Sequence, residues 1–364
     1  MNSDDATFSM DGFDDTQFTH LALGNHSNAS QAIFPPQASS GIPPGLGRMF
    51  YAWLTPVILL IGIVGNSLSL SVFTSRNMRS LSASNYLAAL SISDLVTLVA
   101  YVMVEWLKRG LHILPGHLTV AFLEINGVCH VSLYLSYVSR FLSSWIVVIF
   151  TVERYIAVCH PLRRKSISTS VSRRIVFGLV AVAAIILMYK PIMSGSYIVA
   201  KDVHVCTSNP YLKHVSHILD IIYGVTITLV PFILITALNM FIINKLVQRN
   251  RKYRDRSVLT EESVIRLEFT LILLVISLCF IAFNLPYFGV WARTAFSGKP
   301  VSPGVVAIVR AMYYLNYCVN FFLYSITGAC FRRELRMLFR YKMKKGNVYV
   351  NCMKIESNTQ QSWV

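Results

Sequence analysis

Charged residues placed inside apolar stretches carry most of the chemistry that this sequence suggests. Asp94 lies within one apolar run, and Glu153 and Arg154 lie together near the end of another. A charge inside an apolar helix costs on the order of several kcal/mol unless a partner compensates it, so these residues mark structural nodes or functional sites. No nucleophile–base set, glycine-rich phosphate loop or Cys/His metal pattern accompanies them, and we do not expect an enzyme.

The composition indicates a membrane protein. Of the 364 residues, 54% are hydrophobic and only 14% are charged, whereas soluble domains carry about 25% charged residues. The formal net charge is +16, which in a soluble protein would suggest nucleic-acid binding. Here the basic residues flank apolar stretches, so we expect them to face anionic membrane lipid and a cytoplasmic partner, and no nucleic acid.

Seven stretches are long and apolar enough to cross a bilayer, since a spanning helix needs about 20 predominantly apolar residues. The predicted fold class is therefore an all-α membrane protein, a seven-transmembrane-helix bundle. Two related halves, which are typical of transporters, are not found. The predicted spans are 49–74, 85–107, 125–158, 175–197, 216–246, 263–296 and 303–328.

The distribution of Lys and Arg predicts the orientation. With the N-terminus outside, 22 of these residues fall in cytoplasmic segments and seven in outer segments, as the positive-inside rule requires. We therefore predict a multi-pass plasma-membrane protein with an extracellular N-terminal tail, 1–48, before the helical domain, 49–328. Two sequons predict glycosylation of Asn25 and Asn28 in that tail.

An amphipathic segment follows the last span. Apolar residues at 331, 335, 338 and 339 share one helical face and arginines occupy the other, which predicts a short amphipathic eighth helix over 329–341 on the membrane surface. A cytoplasmic tail, 342–364, completes the chain. Its last residues, Ser362-Trp363-Val364, fit the free C-terminal pattern that PDZ domains bind.

Short motifs occur in nearly every span, in a characteristic order. On these motifs the sequence resembles the rhodopsin-like (class A) G-protein-coupled receptors, over about 49–339. The motifs are Gly65-Asn66, Leu90-Ser91-Ile92-Ser93-Asp94-Leu95, Cys129, Glu153-Arg154-Tyr155, Pro231, Phe283-Asn284-Leu285-Pro286 and Asn320-Phe321-Phe322-Leu323-Tyr324.

The resemblance implies two structural sites. Cys129 and Cys206 match the positions of the family's disulfide. Asp94 matches the residue that binds an allosteric sodium ion, with Ser143, Asn316 and Asn320 as the other ligands. These side chains offer oxygen atoms, which suit a hard cation. A hydrogen-bonded node that joins three helices is the alternative reading of the same set. No other cofactor is expected.

The resemblance also implies the residues that couple to a heterotrimeric G protein. They are Glu153, Arg154, Tyr155 and Tyr324, with Glu153 as the resting partner of Arg154, and arrestin is a further implied partner. The family often adds an acid early in the sixth helix as a second lock. Arg266 occupies that position, so we expect a lower barrier to activation. Phe321 replaces the family's proline, and we expect a milder bend in the seventh helix.

We expect an outward-facing crevice between the helices to hold an extracellular ligand. Arg140 lies 14 residues before Arg154, about 21 Å along a helix, and so near the crevice floor. Alternatively, Glu105 pairs with Arg310, and Asp220 with Arg140, without any ligand. The predicted ligand-binding residues are Glu105, Arg140, Asp220, Tyr223, Tyr287, Trp291, Arg310 and Tyr314.

The mixed charges and aromatic residues resemble the neuropeptide-receptor branch, and a short peptide with a basic residue and an amidated or free C-terminus would fit. The amine-receptor branch carries an acid where this chain has Ser136, and an opsin requires a lysine that 303–328 lacks. A chemosensory receptor for small anionic or odorant ligands is the alternative function, and a membrane transporter is a more distant one.

Overall fold

The computed structural model describes residues 44–114, 120–160, 168–200, 203–252, 261–297 and 301–343. Within these ranges the chain forms a bundle of long helices with one β-hairpin at one end. We call that end the hairpin end. The opposite end, where the last helix α8 (Ala329–Met343) lies, is called the α8 end. The predicted glycosylation sites Asn25 and Asn28, and the motif Ser362-Trp363-Val364, lie outside the described residues.

The helices follow the predicted spans closely. Two of them contain a π-helical turn, at Leu98–Met103 in the second helix and at Val225–Leu229 in the fifth. The helices are α1 Pro44–Phe73, α2 Ser82–Arg109, α3 Asn126–Cys159, α4 Thr169–Met193, α5 Lys213–Gly224 continuing through the π-turn to Val230–Lys252, α6 Glu261–Ser297, α7 in two parts Pro303–Leu315 and Asn320–Thr327, and α8 Ala329–Met343.

The lengths and hydropathy of these helices confirm a seven-span bundle. Helices α1 to α6 are each long and apolar enough to cross a membrane, and the two parts of α7 together make the seventh. On α4, Phe177 and Ile185 are 72% and 76% exposed. Lipid is the expected neighbour of such large outward-facing apolar side chains.

The expectation of a milder bend in α7 is wrong. Its two parts meet at 46°, although Phe321 stands where the family's proline would be. The bend lies in the turn before Phe321, where the N–H groups of Asn316, Tyr317 and Cys318 bond three residues back rather than four. The amide of Asn66 on α1 donates to the Tyr317 carbonyl at 2.8 Å, so a neighbouring helix satisfies a carbonyl that the bend exposes.

The fourth span ends earlier than predicted, because the chain changes to β-structure within it. Strand β1, Ser194–Ala200, pairs in antiparallel fashion with β2, Val203–Ser208, and Ser196 lies opposite Cys206. Tyr197 and Ile198 therefore belong to a hairpin rather than to α4. The prediction of an all-α chain missed this hairpin.

Close contact between α1 and α7 depends on a small residue. A Cβ atom placed on Gly65 would lie 2.9 Å from the Cβ of Phe321, closer than two carbon atoms pack. About two turns later on α1, Phe73 contacts Tyr324 and Phe331, with ring centroids 5.1 and 5.3 Å away. The start of α8 therefore packs on the ends of α1 and α7.

Candidate functional site

The structure places all eight predicted ligand-binding residues at the hairpin end of the bundle, on five helices. Seven of them are buried and Glu105 is partly buried. We call this group, with four further residues that it contacts, the hairpin-end network. Its members are Glu105, Arg140, Asp220, Tyr223, Tyr287, Trp291, Arg310 and Tyr314 together with Tyr101, Tyr137, Lys190 and Tyr313.

Glu105 lies between two arginines. Its carboxylate oxygen Oε2 accepts a hydrogen bond from Nε of Arg109, one turn later on α2, at 2.8 Å. The same oxygen lies 3.7 Å from Nη1 of Arg310 on α7. The structure therefore contains the Glu105–Arg310 ion pair, and adds Arg109 to it. This cluster joins α2 to α7.

Asp220 on α5 forms an ion pair with a residue that the sequence analysis did not include. Nζ of Lys190, near the end of α4, lies 2.9 and 3.1 Å from the two carboxylate oxygens of Asp220. The hydroxyl of Tyr137 on α3 donates to the same carboxylate at 2.9 Å. Lys190 and Asp220 have only 2% and 1% of their side chains exposed, so this is a fully buried pair.

Arg140 is enclosed by tyrosine rings. Its guanidinium carbon lies 4.0 Å from the ring centroid of Tyr101, 4.9 Å from that of Tyr137 and 5.6 Å from that of Tyr223. Its Nε donates to the carbonyl of Ser136 at 3.0 Å. Aromatic faces attract a cation electrostatically, so the rings stabilise this charge in the interior.

Tyrosine rings from different helices pack against one another within the network. The rings of Tyr287 on α6 and Tyr313 on α7 stack at 4.8 Å, and Tyr101 meets Tyr314 edge-on at 5.7 Å. Tyr101 belongs to the π-turn of α2, and the π-turn of α5 begins two residues after Tyr223. Such turns change the direction of the following side chains and are frequent at functional sites.

Asp94 lies at mid-bundle in a polar contact with α3 and α7. The hydroxyl of Ser143 donates to Oδ1 and the amide of Asn320 donates to Oδ2, each at 2.7 Å. Asp94 has no exposed surface, and Asn316 is also buried. These residues offer carboxylate, hydroxyl and amide oxygens, a donor set that fits Na⁺. The hydrogen bonds equally form the three-helix node considered as the alternative.

Arg154 is paired with its neighbour near the α8 end. Its Nη2 donates to Oε2 of Glu153 at 2.8 Å. The other oxygen of Glu153 accepts from the hydroxyl of Ser82 at the start of α2. Both members of the pair are buried. The pair thus links the end of α3 to α2.

The other two residues predicted to couple to a G protein lie apart from this pair. Tyr155 meets Phe241 on α5 edge-on, with centroids 6.1 Å apart. Tyr324 is fully buried between Phe73 and Phe331. The structure therefore places Tyr155 at the α3–α5 contact and Tyr324 in the aromatic contact between α1, α7 and α8.

Two carboxylates that the sequence analysis did not consider hold α8. Oε1 of Glu268 on α6 accepts from the backbone N–H of Cys330 at 2.8 Å. Glu334 within α8 accepts from Ser75 at 3.2 Å and from Asn77 at 2.9 Å, in the turn after α1.

Arg266, which occupies the position of the family's second lock, lies in a helical part of α6. Its side chain lies outside the described residues, so the expectation of a lower barrier to activation stays a prediction.

A disulfide fixes the β-hairpin over the bundle. Cys129 at the start of α3 is bonded to Cys206 on β2, with Cα atoms 5.6 Å apart, which confirms the predicted pair. Oε2 of Glu124 accepts from the Cys206 N–H, and Oδ1 of Asn126 accepts from the Ser196 N–H at 2.9 Å. Both strands are therefore attached to the start of α3.

The family follows from a match over most of the bundle. Residues 65–324 match the family model described as "7 transmembrane receptor (rhodopsin family)", well over half of the chain. The chain belongs to the rhodopsin family of seven-transmembrane receptors. It is therefore a G-protein-coupled receptor in a family of signalling proteins rather than of enzymes, and the disulfide and helical bundle agree with that assignment.

Several curated receptors are similar to this one at low identity. The thyrotropin-releasing hormone receptor of Gallus gallus is 25% identical over 323 residues, 80% of this receptor and 79% of the relative. The FMRFamide receptor of Drosophila melanogaster is 24% identical, over 79% of this receptor and 53% of the relative. The cysteinyl leukotriene receptor 2 of Sus scrofa is 24% identical, over 80% and 82%.

The most important residue that sequence reasoning missed is Lys190. A lysine within a span predicted from 175 to 197 needs a partner, and this rule, which identified Asp94, would also have identified Lys190. Tyr101 and Tyr137 gave no comparable signal, because a tyrosine in an apolar helix is more often packed than functional. Only the structure shows that their rings surround Arg140.

Proposed function

We propose that this receptor recognises a short extracellular peptide and transmits that binding to a heterotrimeric G protein. The hairpin-end network carries the proposal, since it brings charged and aromatic side chains from α2, α3, α4, α5, α6 and α7 into one buried cluster. A peptide offers aromatic side chains, amide groups and charged termini that match such a surface. Two of the similar receptors are named for peptide hormones or transmitters.

The proposed signal passes from the network to the α8 end through α3. This helix carries Arg140 in the network, Ser143 at the Asp94 node and Arg154 near its end. A ligand that shifts Arg140 therefore acts on the element that also holds the proposed coupling residues. Release of Arg154 from Glu153 is the proposed cytoplasmic result, with Tyr155 and Tyr324 contributing to the surface that a G protein contacts.

We also propose that the receptor lies in the plasma membrane with its N-terminus outside. The excess of Lys and Arg in the predicted cytoplasmic segments supports this orientation. Glycosylation of Asn25 and Asn28, contact of α8 with lipid and binding of arrestin or a PDZ-domain protein remain parts of the same proposal. Peptide-N-glycosidase treatment tests the outer location of the tail. It should increase the electrophoretic mobility of the wild type and leave that of the Asn25→Gln/Asn28→Gln variant unchanged.

A sodium ion at mid-bundle is a further part of the proposal. Asp94, Ser143, Asn316 and Asn320 would hold it, and the buried carboxylate and amide groups support this assignment. When bound, the ion would neutralise the Asp94 carboxylate and favour the inactive receptor. Asp94 itself joins α2, α3 and α7 through its two hydrogen bonds.

A screen of synthetic peptides tests the main proposal. Cells that express the receptor are exposed to amidated and free-acid peptide libraries, with calcium and cyclic-AMP readouts in parallel. A saturable response that is absent from untransfected cells and lost in Arg154→Ala at equal surface expression supports it. No response from any peptide, together with a response to a small non-peptide library, would contradict it.

A receptor for a small anionic ligand is the second candidate function. Positive charge exceeds negative charge among the buried side chains of the network, and such an excess favours an anion. One similar receptor is named for a leukotriene. The same screen distinguishes the two candidates. A response to small acids without a response to any peptide would favour the receptor for an anionic ligand.

A further inference from the structure

Lys190 has no assigned role, yet it makes the most deeply buried ion pair described in the receptor. Its Nζ contacts both oxygens of Asp220, and the side chains are 2% and 1% exposed. It also lies 4.7 Å from the ring centroid of Tyr137. A lysine held in this way is a built-in counter-ion, since its position is fixed by α4 and not by a ligand.

Asp220 is consequently engaged on both oxygens. Oδ1 accepts from Lys190 and from the Tyr137 hydroxyl, and Oδ2 accepts from Lys190. Tyr137 is itself held by Tyr223, whose ring stacks on it at 4.3 Å and whose hydroxyl donates to its carbonyl at 2.9 Å. A basic ligand group at Asp220 would lie beside the Lys190 ammonium or displace it, and a displaced ammonium would be buried without its partner at high cost.

Glu105, the other acid of the network, is also engaged with cations. It contacts Arg109 at 2.8 Å and Arg310 at 3.7 Å. With Arg140 and the Lys190–Asp220 pair, the network holds three cationic side chains and two carboxylates, and Arg109 beside it adds a fourth cation. The network as a whole is therefore positive, and a buried positive excess favours a ligand that brings negative charge or oxygen acceptors.

Arg140 is the cation best suited to receive such a group. The centroid of the Tyr101 ring lies 4.0 Å from the guanidinium carbon, and Nε donates to the Ser136 carbonyl. A guanidinium carries five N–H donors in a fixed fork, so its outer nitrogens suit a carboxylate or amide oxygen. Arg140 is only 2% exposed, so a ligand must displace surrounding ring edges to reach it.

We infer that Lys190 determines the charge preference of the ligand site. It masks Asp220, so that the network accepts a carboxylate or carboxamide oxygen at Arg140 and rejects a cationic group. This inference rests on the proposed function and specifies its ligand class. Of the two ligand features anticipated from the sequence, it keeps the amidated or free C-terminus and drops the basic residue.

Three fragments with one common ring test the inference on the purified full-length receptor. They are 3-phenylpropanoate, 3-phenylpropanamide and 3-phenylpropylammonium, and the readout is the concentration dependence of the thermal unfolding temperature. For the wild type we expect stabilisation by the carboxylate and the amide but not by the ammonium. For Lys190→Met we expect the ratio of half-saturating concentrations to shift toward the ammonium by about tenfold or more, because close buried charge pairs couple strongly.

Two further variants separate masking from direct binding and from loss of folding. In Lys190→Met/Asp220→Leu no carboxylate is left without its counter-ion, so we expect a folded receptor that still prefers the carboxylate fragment. Lys108→Met is the matched control, since Lys108 is 26% exposed and pairs with Glu124 at 3.0 Å near the start of α3. It should behave as the wild type does.

The inference fails if the ammonium stabilises the wild type as well as the carboxylate does, or if the fragment preference is the same in Lys190→Met. It also fails if the double variant loses its preference for the carboxylate, because Lys190 would then bind the anion itself. A failed fragment preference in a receptor that responds to peptides removes only the charge assignment. An absent peptide response, together with a response to the non-peptide library, removes the proposed function whatever the fragments show.

Discussion

The side chain of Glu268 on α6 accepts a hydrogen bond from the backbone N–H of Cys330, the second residue of α8, at 2.8 Å. The first N–H groups of a helix have no partner inside the helix, and its N-terminal end attracts a negative charge. Glu268 is largely buried at this contact. The bond therefore ties the first turns of α6 to the start of α8.

Loss of this tie should raise signalling without ligand. We expect Glu268→Ala to increase basal G-protein activation about tenfold or more, because hydrogen bonds to charged groups contribute about 1.5–3 kcal/mol. Nucleotide exchange in membranes, at matched surface expression, measures the effect. Glu268→Gln is the control, since it keeps an acceptor oxygen and should fall in between. Basal exchange in Glu268→Ala equal to that of the wild type would show that α6 is restrained elsewhere.

Sodium should stabilise the receptor through Asp94. We expect the unfolding temperature of the purified receptor to be higher in sodium chloride than in choline chloride at the same concentration. A ligand present at ten times its Kd adds about 1.4 kcal/mol to the folded state. Asp94→Asn should abolish the difference between the salts. An equal response to both salts in the wild type would favour the simple hydrogen-bonded node.

The Glu105–Arg310 contact should matter for ligand response. We expect Glu105→Gln and Arg310→Gln each to lower peptide potency, about tenfold or more, because Glu105→Gln removes the carboxylate beside Arg310 and Arg310→Gln removes one of the two cations beside Glu105. The double variant should lose less than the sum, with a coupling of about 1 kcal/mol. Concentration–response curves for all four receptors give this coupling. Strict additivity would show that the two residues act independently, and Lys108→Gln should leave potency unchanged.

The α1–α7 contact should be sensitive to one methyl group. Gly65→Ala places a Cβ atom 2.9 Å from the Cβ of Phe321, and overpacking of this kind costs about 1–3 kcal/mol. Gly178→Ala on α4 is the matched control, because its Cβ meets nothing within 4 Å and Ala favours a helix over Gly. Thermal unfolding should show a lower temperature for Gly65→Ala only. Equal temperatures would mean that α1 moves away from α7 without cost.

Local composition was enough to predict the seven spans, since hydropathy over about 20 residues reflects a lipid environment directly. The Cys129–Cys206 disulfide was predicted from family resemblance, because the positions of both cysteines match. The four charged residues of the predicted ligand site were identified by a single rule, that charges inside spans need partners. The same rule gave Glu105 and Arg310, which are indeed in contact.

Partner choice and backbone irregularity could not be predicted in the same way. Asp220 pairs with Lys190, 30 residues away on another helix, and the sequence does not show how α4 and α5 are rotated. The bend of α7 depends on Asn66 of α1, which bonds the Tyr317 carbonyl. The hairpin from Ser194 interrupts an apolar run, and hydropathy does not distinguish a strand from a helix there.

Glu334 joins α8 firmly to the first helix of the receptor. Through Ser75 and Asn77 it fastens α8 to the turn after α1, while Phe331 packs against Phe73. One end of the first helix, its following turn and the last helix thus form a single block. In distance measurements by spectroscopy, a probe on this block would serve as the fixed origin against which displacement of the neighbouring helices is read.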